Sequence, residues 1–387
     1  MFKPCFLAVL LIYSTLLTAC GGSGATQDAA ESMSAAAQLG QLIFKDTSLS
    51  ATGRMSCQTC HEPSLGHASP FAEAVVDVGP DADQKGLRTP PAINYLKYNG
   101  PFQFASDGTP MGGFFWDGRV NSLAEQAKGP LLGKAEMANS SASDVIRKLS
   151  SSTYADQFKK VFGADIFNDP NAAFDRVAYA LERYQIEDPD FAPFSSKFDA
   201  VMQGKEAFTP QELRGLTWFN RADKGNCAAC HPSTKPDNAP AALFTDFSYD
   251  SLGVPRNPNI AANTDPNHYD KGLCGPIRLN LTSRTDLCGA FKVPSLRNVG
   301  KRKRFFHNGK FNDLKEVVNF YITRDTHANA WYPPDPLNVL VYNDLPALER
   351  ANVNVSEGPY NRTGLPAALN PDEIDDLVAF LQTLSDR

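Results

Sequence analysis

Helical periodicity dominates the pattern of apolar and polar positions along this chain. The final helix is the best marked, because Asn370 can cap it, Pro371 opens its first turn, and an apolar stripe runs over residues 374–384. A second capping sequence, with Thr209 and Glu212 three residues apart, predicts another helix start. Apolar spacings of three and four predict further helices over residues 35–44, 143–149, 154–162, 174–184 and 314–321.

Long loops are expected between these helices. No segment shows the sustained alternation of apolar and polar residues that is typical of a half-buried strand. The 28 prolines and 27 glycines indicate many turns. We therefore predict a mainly α protein with long ordered loops and two domains, over residues 36–195 and 205–387, joined near residues 187–207.

The N-terminus has the pattern of an export signal. Lys3 precedes an apolar stretch over residues 6–17, which is too short to cross a membrane stably. Leu-Thr-Ala-Cys ends the stretch at Cys20 and resembles the cleavage motif of bacterial lipoproteins. We predict a lipoprotein-type signal over residues 1–20 and a flexible tether over residues 21–35. The protein would be periplasmic and reach the membrane only through a lipid on Cys20, the alternative being an ordinary cleaved signal.

Charge narrows the range of partners. The formal net charge of −6 argues against nucleic acid as a ligand. The one basic cluster, residues 301–304, is short, and we interpret it as a solvated turn.

The pattern Cys-x-x-Cys-His occurs twice, at residues 57–61 and 227–231. In this pattern the two thiols add across the vinyl groups of haem, and the His becomes an iron ligand. Zinc is the alternative, but neither copy has a second Cys/His pair nearby. We predict two covalently bound haem c groups in two cytochrome-c-like domains. The attachment residues and proximal ligands are Cys57, Cys60, His61, Cys227, Cys230 and His231.

Two cysteines have no role in haem attachment or in the signal. Cys274 and Cys288 are left when Cys5, Cys20 and the haem cysteines are set aside. In an oxidising compartment two such thiols most simply form one disulfide.

Five short segments outside the haem motifs match segments of one known protein family. They are residues 115–119, 123–130, 136–137, 293–298 and 306–310. Together with the haem motifs in this order they resemble the bacterial di-haem cytochrome c peroxidases, which include the MauG-like enzymes. The resemblance spans about residues 36–325 and the final helix. It implies reaction with hydrogen peroxide at the first haem and electron transfer through the second.

The resemblance implies catalytic roles for residues between the haem motifs. Glu136 matches the family's distal carboxylate, which moves a proton between the peroxide oxygens, although by itself it would be taken for a surface acid. Gln126 and Pro130 match the lining of the same pocket. Trp116 falls where the family places an indole between the haems, and its size alone would make it a core anchor.

The first haem is expected to have an open axial position. Many family members carry a displaceable second His, but residues 76–83, where it would fall, contain none. His67 follows His61 by six residues. Even when fully extended, this segment spans only about 20 Å, which is barely enough to pass around the edge of the macrocycle and reach its other face. We interpret His67 as a loop or pocket-rim residue.

The resemblance places the distal ligand of the second haem at Tyr321, fourteen residues past His307. Tyr321 would lie on the inward face of a helix capped by Asn312, and a core tyrosine is the alternative. Many cytochrome c peroxidases have Met here, whereas MauG-like members have Tyr. A tyrosinate is a hard anionic donor that favours ferric iron. The predicted iron ligands are therefore His61, His231 and Tyr321.

Other positions depart from the family. MauG-like enzymes use a Trp just before the second haem motif, but this chain has residues 224–226 there, and its nearest indole is Trp218. The family's calcium-binding Asn corresponds to Thr89, and the loop that donates carbonyl groups carries the charged residues 302–304, which would repel Ca²⁺. The sequence therefore does not decide whether the protein binds calcium. Residues 325–369 resemble an insertion relative to the compact peroxidases.

These features predict a di-haem peroxidase of the Tyr-ligated, MauG-like branch. Its electrons would come from a small redox protein, either a cytochrome c or a cupredoxin. The alternative is MauG-like oxidation of side chains in a partner protein. A plain di-haem electron carrier is a third possibility, but it leaves unexplained why an open haem would have Glu136 and Gln126 beside it.

Overall fold

Helices joined by long loops make up the structure, a computed structural model that describes residues 33–72, 85–334 and 341–387. The predicted signal peptide, the lipid site at Cys20 and most of the tether lie outside these residues. Within the described part of the chain, no helix has both the length and the apolar character needed to cross a membrane.

The described elements are mainly helical, as predicted. The α-helices are α1 (Ala35–Lys45), α2 (Cys57–Cys60), α3 (Leu123–Leu132), α4 (Ala142–Leu149), α5 (Ala155–Phe162), α6 (Pro170–Glu187), α7 (Lys197–Met202), α8 (Pro210–Asn220), α9 (Leu314–Thr323) and α10 (Pro371–Gln382). Two short antiparallel pairs join β1 (Gln103–Phe104) to β2 (Pro110–Met111) and β3 (Tyr249–Asp250) to β4 (Phe291–Lys292). Most of the remaining chain is loop, so much of the site must be held by turns.

One hydrophobic core surrounds the helices next to the first haem motif. Leu39 and Ile43 of α1 pack with Val177 and Leu181 of α6, and all four are almost fully buried. The two helices approach closely at Gly40, where a Cβ atom would lie 2.0 Å from the carbonyl oxygen of Ala180. A side chain at Gly40 would therefore push apart the pair of helices that carries the first motif.

The second core repeats this arrangement around the second haem motif. Phe219 of α8 packs with Phe380 of α10 at a ring-centroid distance of 5.2 Å. Gly215 again permits the close approach, since a Cβ atom there would lie 2.0 Å from the carbonyl oxygen of Asp376. Each motif thus follows a helix that packs through a glycine against a later helix. The exact domain boundaries stay a prediction.

The predicted cap of α9 is wrong by one residue. Asp313, and not Asn312, caps this helix, because its carboxylate accepts a 2.8 Å hydrogen bond from the backbone N–H of Glu316. The helix begins at Leu314, and Tyr321 lies in its last turn.

The predicted disulfide is confirmed. Cys274 and Cys288 are bonded, with an S–S distance of 2.00 Å, and both side chains are buried. The bond closes a loop that precedes β4.

Buried polar groups join residues that are far apart in sequence. Arg297 is fully buried and pairs with Asp199 of α7 through Nη1–Oδ2 (2.5 Å) and Nη2–Oδ1 (2.8 Å). Next to it, the Asp386 carboxylate accepts hydrogen bonds from Asn298 (2.7 Å) and from the hydroxyl of Tyr95 (2.8 Å). The segment 293–298, noted above for its resemblance to the family, therefore has a structural function here.

Candidate functional site

The two proximal histidines are held in the same way. Nδ1 of His61 hydrogen-bonds to the carbonyl oxygen of His67 (3.3 Å), and Nδ1 of His231 to that of Phe244 (2.9 Å). Both accepting residues have left-handed backbone conformations, with φ of 55° at His67 and 54° at Phe244. With Nδ1 occupied, Nε2 is the nitrogen of each ring that can bind iron.

Both histidines lie in surroundings that favour the neutral, metal-binding form of imidazole. Burial lowers the pKa of His61 to about 4, and it also lowers the pKa of His231. Neutral imidazole is the form that ligates a metal.

The motif cysteines fit haem attachment. Cys57, Cys60, Cys227 and Cys230 form no disulfide, although the first pair lies within the single turn of α2. Among the described residues, no group of three or more His, Cys, Asp and Glu side chains is arranged to hold a metal ion. Zinc therefore lacks its remaining ligands, whereas unpaired thiols next to an anchored imidazole suit haem c.

A largely apolar cavity contains the second motif. Cys227, Cys230 and His231 line it, together with Tyr321 and Trp116. The hydroxyl group of Tyr321 makes no hydrogen bond to any described residue. Burial raises the pKa of the Tyr321 hydroxyl group above its ordinary value. An anionic form would therefore need a cation such as iron beside the phenol oxygen.

Residues between 341 and 360, within the segment predicted to be an insertion, form part of the same cavity wall. Tyr360 stacks on Tyr321 with ring centroids 6.0 Å apart, and Glu357 also lines the cavity. Arg324, only 1% exposed, lies over the Tyr360 ring at 4.2 Å and pairs with Asp325 at 2.6 Å. The sequence offered no role for this insertion, and Tyr360 was not among the candidate residues.

Glu136 is held against the first motif by a tight turn. α3 ends before Gly133, whose carbonyl oxygen accepts a 2.9 Å hydrogen bond from the N–H of Glu136. A Cβ atom at Gly133 would lie 2.1 Å from Oε2 of Glu136, so the carboxyl group folds back over this glycine. Burial raises the pKa of Cys57 and of Cys60, and the charge of Glu136 adds to the increase at both thiols.

Arg119 is a functional candidate that the sequence did not single out. Its charge opposes the effect of burial, which raises the pKa of Glu136 above its ordinary value. The guanidinium group lies 3.6 Å from the centroid of the Phe115 ring, and its Nη1 donates to the fully buried Asp117 at 2.8 Å. The same Asp117 pairs with Arg88 at 2.7 Å, so the carboxylate that holds Arg119 is itself fixed by a second cation.

The segments 115–119 and 306–310 adopt the same turn in the two halves of the chain. Phe115 and Phe306 have φ of 65° and 64°, and each is followed three residues later by a glycine with positive φ, Gly118 and Gly309. Trp116 and His307 are therefore equivalent residues. They meet at Thr89, whose carbonyl oxygen accepts from Nε1 of Trp116 and whose N–H donates to the carbonyl oxygen of His307, both at 2.8 Å.

The remaining predicted pocket residues lie on α3. Gln126 is partly buried and precedes Pro130 by four residues, which places both on one face of the helix. The side chain of Gln126 makes no hydrogen bond within the described part of the chain. Gly129, on the same helix, is in contact with the Phe115 ring.

His67 lies in a loop, as predicted, but not at a pocket rim. Its ring is 1% exposed and stacks on Phe191 with centroids 3.9 Å apart, inside the N-terminal core. Its backbone carbonyl group, and not its ring, faces His61.

The interpretation of residues 301–304 as a solvated turn is wrong in part. Arg302 and Arg304 are partly buried, and both line the cavity of the second motif, whereas the side chain of Lys303 is exposed. The short 3-10 turn Val299–Lys301 packs into the C-terminal core through Val299, and this directs the following loop inward.

Comparisons with known proteins agree with this arrangement. The family model described as di-haem cytochrome c peroxidase matches residues 34–207. Methylamine utilization protein MauG of Paracoccus denitrificans is 35% identical over 94% of this chain and 92% of its own length. Cytochrome c551 peroxidase of Nitrosomonas europaea is 31% identical over 73% of this chain and 71% of its own length. The crystal structure of the diheme peroxidase BthA from Burkholderia thailandensis covers 91% of this chain and 86% of its own, with a TM-score of 0.83 and 38% identity.

Proposed function

This chain belongs to the di-haem cytochrome c peroxidase family, and we propose that it is a MauG-like member whose second haem is ligated by Tyr321. It is an oxidoreductase that acts on peroxide and uses two haems. One observation carries the proposal: Tyr321, whose hydroxyl group makes no hydrogen bond to described residues, lines the same cavity as the anchored His231.

Both haems are proposed to be covalently attached, through Cys57 and Cys60 and through Cys227 and Cys230. The support is the unpaired state of these four thiols and the common anchoring of the adjacent histidines. When bound, each haem would supply an iron that exchanges electrons, and the first haem would supply the site where peroxide is cleaved.

Haem attachment can be tested by mass. We expect the denatured protein to exceed its polypeptide mass by two haems, and a Cys227→Ser/Cys230→Ser double variant to exceed it by one, because each motif attaches its own macrocycle. The matched control is Cys57→Ser/Cys60→Ser, which should also keep one haem. Wild-type protein with no covalent haem would contradict the proposal.

At the first site, Glu136 moves the proton. Its carboxylate would accept a proton from one oxygen of hydrogen peroxide and return it to the other, so that this oxygen can leave as water when the O–O bond breaks. The electrons for this cleavage would come from the haem, and two electrons and two further protons in total convert hydrogen peroxide to two molecules of water. Arg119 lies close enough to affect the charge of this carboxyl group, and Gly133 permits its position. Gln126 and Pro130, which share a face of α3, line the pocket and orient the peroxide.

At the second site, His231 and Tyr321 bind and orient the cofactor from within the cavity. Trp116 lies at the same cavity, and its indole N–H is fixed by Thr89. Its ring therefore has a set position through which electrons can pass between the two sites.

The protein works in the periplasm under this proposal, held by a lipid on Cys20. The support is the export pattern of residues 1–20 and the attachment of haem c, which in bacteria takes place outside the cytoplasmic membrane. The domains proposed for haem attachment are residues 36–195 and 205–387.

The electron donor is proposed to be a small redox protein. We expect catalytic loss of hydrogen peroxide when a reduced cytochrome c or cupredoxin is supplied, with two donor electrons consumed for each peroxide. Trp218→Phe is the control, because Trp218 lies next to the second motif and its carbonyl oxygen accepts from the N–H of Gly225 at 3.1 Å. Donor oxidation should survive this change.

Side-chain oxidation in a partner protein is the alternative. If peroxide produces a covalent change in a co-purifying protein, no small donor is oxidised, and Trp218→Phe abolishes the covalent change, the alternative is the correct function.

A further inference from the structure

The loop of residues 302–304 brings positive charge to the cavity of the second haem motif. All three residues line the cavity. The side chains of Arg302 and Arg304 are partly buried, whereas that of Lys303 is exposed. Nη2 of Arg302 donates to the carbonyl oxygens of Ser295 and Arg297, the latter at 3.1 Å. These carbonyl groups hold the guanidinium group in one orientation.

Both guanidinium groups have unsatisfied donors. Nε of Arg302 and Nε of Arg304 are buried and make no hydrogen bond to any described residue. Within the described part of the chain, neither side chain forms an ion pair with a carboxylate. A buried donor without a partner costs about 1–3 kcal/mol, and more when it is charged. Burial also lowers the pKa of Arg302 to about 10, as expected for a cation without a counter-charge.

An anion that enters the cavity would supply the missing partner. Guanidinium groups prefer planar carboxylates, which accept two parallel hydrogen bonds from the fork. Haem carries two propionate carboxylates on the edge of the macrocycle opposite its vinyl groups. Attachment at Cys227 and Cys230 fixes the vinyl edge, so the carboxylates must lie at the part of the cavity away from these thiols.

We propose that Arg302 and Arg304 bind the propionates of the second haem. This inference rests on the proposed function, because it requires haem at Cys227 and Cys230. The two cations neutralise the carboxylates and favour the reduced haem, in opposition to an anionic ligand such as Tyr321. The positive charge of the two side chains would also repel Ca²⁺ from this loop, and Ca²⁺ is not needed to neutralise the propionates.

The test is the reduction potential of the second haem in the loaded protein, measured by spectroelectrochemical titration over a range of pH. We expect Arg302→Gln and Arg304→Gln each to shift the ferric–ferrous equilibrium toward ferric by about tenfold, which is about 59 mV for one electron. The potential should also become more dependent on pH, because propionates without their cations titrate nearer neutrality. Lys303→Gln removes the same charge from an exposed position of the same loop, and it should shift the equilibrium far less.

The outcomes separate this inference from the proposed function. Wild-type protein without haem at the second motif would overturn both. Full haem content with unchanged potentials in Arg302→Gln and Arg304→Gln would overturn only the propionate site, as would equal shifts in Lys303→Gln. If Arg302→Gln does not fold, Arg302→Lys serves instead: its charge should keep the potential near the wild-type value while Arg304→Gln still lowers it. Calcium that binds stoichiometrically and reverses the Arg304→Gln shift would confirm an anionic site, whereas calcium binding to the wild type would contradict the assignment.

Discussion

Replacing Glu136 with Gln is expected to slow the reaction with hydrogen peroxide by about 10²–10⁴-fold, the usual contribution of a positioned acid–base group. The amide cannot accept the proton that the carboxylate takes from peroxide. It is nearly isosteric, so the turn built on Gly133 should persist and both haems should remain attached. The measurement is the second-order rate constant for peroxide, followed by the change in haem absorption after rapid mixing.

The matched control is Glu125→Gln, the same change at an exposed position near the start of α3. It should leave the rate constant close to that of the wild type. Because burial raises the pKa of Glu136, the wild-type rate constant should fall as the pH is lowered through that raised pKa, where the carboxylate becomes protonated. Unchanged kinetics in Glu136→Gln would mean that another residue moves the proton.

Replacing Tyr321 with Met is expected to raise the reduction potential of the second haem by on the order of 10² mV, because a neutral thioether no longer favours the ferric state. The visible spectrum should change toward that of His/Met ligation. Since α9 carries Tyr321 in its last turn, and Met is flexible and apolar, the helix should tolerate the exchange.

Tyr360→Phe is the informative control, because Tyr360 stacks on Tyr321 and lines the same cavity. Loss of its hydroxyl group should leave the ligand spectrum unchanged, whereas Tyr321→Phe should abolish the tyrosinate bands. If Tyr360→Phe removes these bands and Tyr321→Phe does not, the ligand has been assigned to the wrong tyrosine.

The first residue of a helix could be predicted where a strong capping sequence precedes it, and less well elsewhere. α10 begins at Pro371 after Asn370, and α8 at Pro210 after Thr209, as their capping residues indicate. α6 is longer than the predicted 174–184, because Asp169 and Pro170 start it four residues earlier and were not recognised. The loops could not be predicted in detail, since their conformations depend on contacts distant in sequence.

The candidate site was predictable wherever the chemistry requires a particular side chain. The thiols and imidazoles of the haem motifs are of this kind. The roles of Glu136 and Tyr321 rest on the resemblance to the family and stay predictions. The carbonyl groups that hold His61 and His231 were not predictable, because every residue has a carbonyl group and only the left-handed backbone at His67 and Phe244 aims these two.

Charge gave the least reliable prediction. The basic cluster has the composition of a solvated turn, and nothing local indicates that Arg302 would be buried. Its position follows from the packing of Val299 in the C-terminal core and from the carbonyl groups of Ser295 and Arg297. The role of residues 325–369 could not be predicted either, because Tyr360 contacts Tyr321 only in the folded chain.

The most direct test of the central claim is to mix the as-isolated protein, with both haems ferric, with hydrogen peroxide and without any reductant. A tyrosinate at the second haem makes the ferrous state hard to reach, so an enzyme that needs prior reduction would be disabled by it. The account predicts rapid reaction from the diferric state, at a rate that pre-reduction does not increase. An inert diferric protein with His/Met or His/His spectra, which gains activity only after reduction, would contradict both the Tyr321 assignment and the MauG-like function.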